Sequence, residues 1–312
     1  MRLAPLAVLL MTACAEHGSG TSVDTFARLP VSSGYTIGFD RDHRPLLGFS
    51  FEDGPIARAT NGSWLPVSQE HVRVFGFGAD TDGTPVVVHG DSQLGQIHIA
   101  TFRDGTLTPL GEPLNNRPVT VLQHTDGTRY AVDNGFAFRL APGASTWTTS
   151  QIDMFRAVVA PDGSLLAWTR SRGLVRVEAN DTATTLVPCT ALGPSGCSSL
   201  FAGVDADGRM YFATFDGVRA FEAFAPTTPI RIELPQNEQP IHMITSPELS
   251  IVAAFGNQMR LYALPRGAST VAAVRLTQPL AGGPLGLHTG GDGAIYVSQN
   301  DWLGIATQIG GD

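Results

Sequence analysis

The sequence predicts an all-β chain folded as a seven-bladed β-propeller of four-stranded blades. Three observations lead there. Tight turns at Asp42-His43, Asp82-Gly83, Asp126-Gly127, Asp162-Gly163, Asp207-Gly208, Glu248-Leu249 and Asp292-Gly293 recur at a mean spacing of about 42 residues, the length of one propeller blade. An apolar run precedes and follows each turn. No segment holds an amphipathic helical period over three turns.

Each repeat reads in the same order. Asp-Gly between apolar runs marks a hairpin, because the tight turn needs positive φ and glycine takes it without steric cost. The second strands are Pro45–Phe51, Pro85–Val88, Thr128–Val132, Ser164–Thr169, Arg209–Thr214, Ser250–Phe255 and Ala294–Ser298. Third strands follow a further turn at Gln96–Phe102, Phe136–Leu140, Leu174–Glu178, Val218–Phe224 and Gln258–Leu264. A weaker fourth strand ends the unit, as at Thr106–Leu110 and Ile230–Leu234. The last copy stops after three strands near Gln308, and Thr25–Leu29 supplies one strand ahead of the first copy. Pairing the two ends would complete the last blade and remove an open sheet edge. Six or eight blades are the alternative counts.

The ends and the composition bear on location. Residues 1–13 read as a secretory signal, with Arg2, an apolar core and small residues before Cys14. Leu10-Met11-Thr12-Ala13-Cys14 resembles the lipobox of bacterial lipoproteins, departing from it only at Met11. The resemblance implies a diacylated Cys14 and a membrane-lipid partner. Residues 14–23 then form a lipidated, flexible Gly/Ser-rich tether, and 24–312 a single propeller domain. Ala15 after the lipidated position implies, by the same resemblance, the outer membrane; the broader expectation is a periplasmic or extracellular face. A formal net charge of −8 argues against nucleic acid, which needs basic stripes. The isolated pair Cys189 and Cys197 is expected to form a disulfide in an oxidising compartment.

The chemistry is less legible than the fold. Paired anchor carboxylates, as in Asp40-Arg-Asp42 and Asp205-Ala-Asp207, are better explained as acceptors of turn N–H groups than as calcium loops, since strand residues follow at once. The turns between second and third strands lie on one face around the channel mouth. They offer Glu52, Asp91, Asp133, Asn134, Arg170, Asp216, Asn257, Asn300 and Asp301 as a ligand-binding rim. Connections from fourth to first strands add Glu70, His71, Phe155, Arg156 and Glu238. No zinc-protease spacing, Gly-x-Ser-x-Gly elbow or phosphate loop is present, and no catalytic residue is assigned.

The run Gly203-Val204-Asp205-Ala206-Asp207-Gly208-Arg209-Met210-Tyr211 and its weaker copies resemble blades of the NHL, gluconolactonase and lactonase propellers. That resemblance implies the fold and little function, because propellers host enzymes and binders alike. The expectation is a binding scaffold at the cell envelope, without cofactor, whose partner is an envelope protein, peptide or glycan. The alternative is a metal-dependent, lactonase-like hydrolase or lyase. It would use a divalent cation held at the channel mouth by several of the rim residues.

Overall fold

The computed structural model describes residues 20–31, 33–90, 95–178, 180–223, 225–235, 238–256, 258–280 and 285–309. The signal, Cys14, Asp91 and Asn257 lie outside them. Among the described residues the strand pairings sort into seven sets of four, numbered here as blades 1 to 7. Blade 4 shows the plan: Arg156–Val159, Leu165–Thr169, Gly173–Val177 and Ala183–Val187 run as an antiparallel meander from the innermost strand outward. Blade 5 repeats it with Leu200–Val204, Met210–Thr214, Gly217–Glu222 and Ala225–Ile232. Second strands are buried on both faces, which is why they read as unbroken apolar runs rather than alternating ones. All five residues of Leu165–Thr169, of Met210–Thr214 and of Ile295–Gln299 are buried.

The core is divided into seven apolar clusters, each bridging two neighbouring blades. Ile251 and Leu261 of blade 6 pack with Leu287 and Val297 of blade 7. Trp168 and Leu174 of blade 4 pack with Phe201 and Phe212 of blade 5. Ile37, Leu47 and Ala57 of blade 1 pack with Tyr296 and Leu303 of blade 7, completing the circuit.

The ring closes as the sequence predicts. Gly20–Arg28 lies antiparallel to Trp302–Ile309, from Gly20 opposite Ile309 to Arg28 opposite Trp302. It is the fourth strand of blade 7. It begins four residues earlier than the expected domain start, so Gly20–Val23 of the expected tether is strand. Its outer edge is covered in turn. Arg275–Leu276 pairs with it in parallel, and Thr277 donates its N–H to Val23 O (3.1 Å).

Two further departures are local. Ser63–Ala79 is one continuous strand that serves as the outermost strand of blade 1 and the innermost of blade 2. Glu70 and His71, expected in a connection, therefore lie within it. The fourth strands of blades 3 and 6 shrink to Thr148–Thr149 and Ala272–Ala273. The connection between blades 4 and 5 carries short 3₁₀ turns over Cys189–Ser198, is closed by the Cys189–Cys197 disulfide, and is pinned to the core by fully buried Leu192.

Turn chemistry follows the sequence closely. Asp40 Oδ1 accepts the N–H groups of Asp42 and Arg44, and Asp205 Oδ1 those of Asp207 and Arg209. Asp82, Asp126, Asp162 and Asp292 each accept the N–H two residues on. At the first anchor, one of two without glycine, His43 itself takes φ 62°.

Two predictions follow from this packing. A Cβ placed on Gly78 would lie 1.8 Å from Val121 O, where blades 2 and 3 meet backbone to backbone. Gly78→Ala should therefore lower unfolding free energy by at least about 1–3 kcal/mol, as overpacking does, measured by urea denaturation. Replacing Cys189 and Cys197 together by Ser should cost about 2.5 kcal/mol through the reopened loop, and dithiothreitol should reproduce that loss in the wild-type chain.

Candidate functional site

The two faces of the ring differ in chemistry. The face carrying the Asp-Gly turns is polar and internally neutralised. The Arg129 guanidinium donates two 2.8 Å bonds to the Asp80 carboxylate from the neighbouring blade. Arg266 bridges Asp207 of blade 5 and Glu248 of blade 6. Arg58 pairs with Asp40 at 3.2 Å and Arg103 with Asp82 at 3.4 Å. His124 is taken up by the turn at Asp126, 3.0 Å from its carboxylate.

The opposite face is aromatic. Phe51, Phe136, Phe215 and Phe255 are 75%, 60%, 66% and 54% exposed. All four stand at turns between second and third strands, in blades 1, 3, 5 and 6. Val119 and Leu200, at the entry to the first strands of blades 3 and 5, are exposed at the same end. Guanidinium groups lie over further rings there, Arg117 over Phe75 at 3.8 Å and Arg170 over Phe155 at 4.0 Å.

Of the polar residues expected on this rim, those among the described residues stand at turns between second and third strands, spread over blades 1, 3, 4, 5 and 7. Glu52 is exposed, and the neighbouring Asp53 pairs with Arg73 at 3.2 Å. Asp133 ends a strand and Asn134 takes the positive φ of the turn. Asp216 accepts from Thr214 Oγ1 and Arg219, so its carboxyl sits below the usual carboxylate range. Asn300 again takes positive φ, and Asp301 pairs with Arg28 at 3.3 Å. Among the described residues no three His, Cys, Asp or Glu side chains come together as a metal-holding group.

A third feature lies between the faces, on the innermost strands. Arg156 opens the first strand of blade 4 and donates from Nη1 to Met243 O of blade 6, at 3.5 Å. Burial lowers its pKa to about 10. Burial, with the charge of Arg156 second, lowers His242 to about 4; burial, with His242 second, lowers His288 to about 4. His288 Nε2 is 2.9 Å from Ser298 Oγ. Both imidazoles are therefore neutral at pH 7.

No family model matches the chain, and no curated protein matches its sequence. Solved structures do match, and they are propellers. A catalytically inactive histidine-to-alanine variant of virginiamycin B lyase from Staphylococcus aureus, with quinupristin, has a TM-score of 0.65 at 12% identity. That match covers 92% of this chain and 99% of the lyase. YCF48 bound to D1 peptide has a TM-score of 0.62 at 14% identity, over 91% of this chain and 96% of that one. The extracellular domain of a hybrid two-component system from B. thetaiotaomicron has a TM-score of 0.61 at 12% identity, over 94% of this chain and 43% of that one. At these identities the likeness establishes the β-propeller fold alone. An extracellular neighbour and the disulfide accord with an exported protein. Among the described residues no helix is long and apolar enough to cross a membrane.

The exposed phenylalanines of this face are candidates that the polar rim set omits. Their signal was available, since each adjoins the polar or glycine residues of its turn: Phe51-Glu52-Asp53, Asn134-Gly135-Phe136, Phe215-Asp216-Gly217 and Phe255-Gly256. Arg156 was placed in a connection, whereas it begins a strand.

The depressed histidines make a stability prediction. Between pH 6.5 and about 4 the unfolded chain binds protons that His89, His242 and His288 refuse in the fold. Stability should fall as pH drops through that window, by up to about 1.4 kcal/mol per pH unit for each group. His288→Asn should flatten the slope of melting temperature against pH there.

Proposed function

We propose that this chain is an exported binding propeller, tethered to a membrane through Cys14, that holds a protein or peptide partner against its aromatic face. The observation that carries this reading is the gathering of Phe51, Phe136, Phe215 and Phe255, all more than half exposed, at one end of the ring. Exposed aromatic clusters cost a soluble protein aggregation resistance, and are a mark of interaction sites. Aromatic and arginine side chains are the ones that dominate binding energy at interfaces, and both are present here. The opposite face, with its charges paired to one another, offers little to a partner beyond water-exposed ion pairs. YCF48 binding a peptide on a propeller of similar shape supports the reading by analogy.

A second reading rests on His242 and His288. Two neutral imidazoles on neighbouring innermost strands could act as bases or as ligands for a divalent cation in a lyase of the virginiamycin B type. Their low pKa values weigh against a strong base, because burial that disfavours the imidazolium also disfavours taking the proton.

A photo-crosslinking residue at Phe215 or Phe255 should give covalent products in intact envelopes, while one at Gly163 or Ala206, on the opposite face, should give none. Equal products from both faces, or none from the rim, would sink the binding reading. Cys14→Ala should move the protein from the membrane to the soluble fraction. Opening of quinupristin by the purified chain with a divalent cation, lost in His288→Ala, would favour the lyase instead.

A further inference from the structure

Arg156 reaches from blade 4 to blade 6 across the ring. Its hydrogen bond to Met243 O is long, and it occupies one of the five N–H donors a guanidinium carries. Among the described residues no carboxylate pairs with it. The acceptor, Met243 O, belongs to the residue that follows His242 on the same innermost strand. His288 meets Ser298, and Ser298 in turn meets the Tyr35 hydroxyl. These side chains come from blades 4, 6, 7 and 1, so they gather at the centre of the ring rather than along one sheet. Arg156, His242, His288 and Tyr35 each keep part of their surface open.

Charge makes the position unusual for this protein. The chain is acidic overall, at −8, yet Arg156 brings a guanidinium to the innermost strands with no carboxylate paired to it among the described residues. A half-buried cation without a carboxylate partner is less well solvated than one in water, and a bound anion offsets that loss. A low-dielectric surround also strengthens the attraction for whatever anion enters.

The geometry points to a binding site for a small monocarboxylate at the centre of the ring, with the Arg156 guanidinium as its fork and the His242 imidazole as a neighbouring donor. A carboxylate matches the planar, two-pronged donor pattern of arginine. One formal charge with neutral imidazoles favours a monoanion over phosphate or sulfate, which would need a second cation. The site goes beyond docking at the aromatic face and does not depend on it.

The test is calorimetric titration of the purified protein with acetate and benzoate, and separately with phosphate and sulfate. Wild type should take up one carboxylate per chain, saturably, with phosphate and sulfate at least tenfold weaker. Arg156→Met should weaken carboxylate binding at least tenfold. Its melting temperature without ligand should stay level or rise, because a half-buried charge without a carboxylate partner has gone. Arg156→Lys keeps the charge without the fork, and serves if the Met variant fails to fold; it should bind between the two. Phe215→Ser, on the rim, should bind benzoate as wild type does while losing crosslinked partner. No saturable uptake by wild type, undiminished affinity in both Arg156 variants, or phosphate binding as tight as benzoate would each overturn the proposal.

Discussion

The structure depends on apolar contact between neighbouring sheets. No blade has a core of its own. Each buries one face against the blade before it and the other against the blade after, and seven shared clusters result. A sheet of four short strands cannot bury enough surface alone, so stability comes from the circuit. This is why the closing strand matters beyond its own hydrogen bonds. It carries Val23 and Ala27, both fully or nearly fully buried, and Phe26 sits edge-on to Tyr296 at 5.6 Å, at the joint where blade 7 meets blade 1.

The same arrangement governs where function can reside. Both sheet faces are consumed by packing, and the outer edges are short. What remains free is the two rings of turns and the inner strand edges. On one ring the turn aspartates are committed to their own backbone N–H groups, and several also to arginines of the same or the next blade. They act as structural staples, consistent with depressed carboxyl pKa values at Asp82 and Asp162, whose largest causes are hydrogen bonds from Thr84 and Ser164. The other ring mixes two kinds of contact. Its turns present phenylalanine beside asparagine and aspartate; Arg117 and Arg170 rest on aromatic rings there, while Arg28, Arg73 and Arg219 pair with Asp301, Asp53 and Asp216.

How much of this was legible in the sequence can be argued from single residues. Asp205-Ala-Asp207-Gly208 announces its turn because the chemistry is local: the acceptor and its donors lie within four residues. Second strands such as Leu165–Thr169 are equally plain, since burial on both faces writes itself as an apolar run. The join of blades 1 and 2 was not readable. Ser63–Ala79 runs through polar Ser68-Gln69-Glu70-His71, which look like a connection, yet backbone pairing on both sides keeps them extended. The approach of Arg156 to Met243, across 87 positions of chain, has no local signature at all. It follows from how the innermost strands are arranged around the ring, and only coordinates supply that.

The closing strand also sets an order of events. Gly20 finds its partner at Ile309, so the first part of the described chain to be made must wait for the last. Long loop closure of this kind slows folding. A protein that cannot finish its ring until its final residues arrive stays threadable while it is being made. Until Trp302–Ile309 is made, Gly20–Arg28 has no antiparallel partner and the joint between blades 7 and 1 stays open.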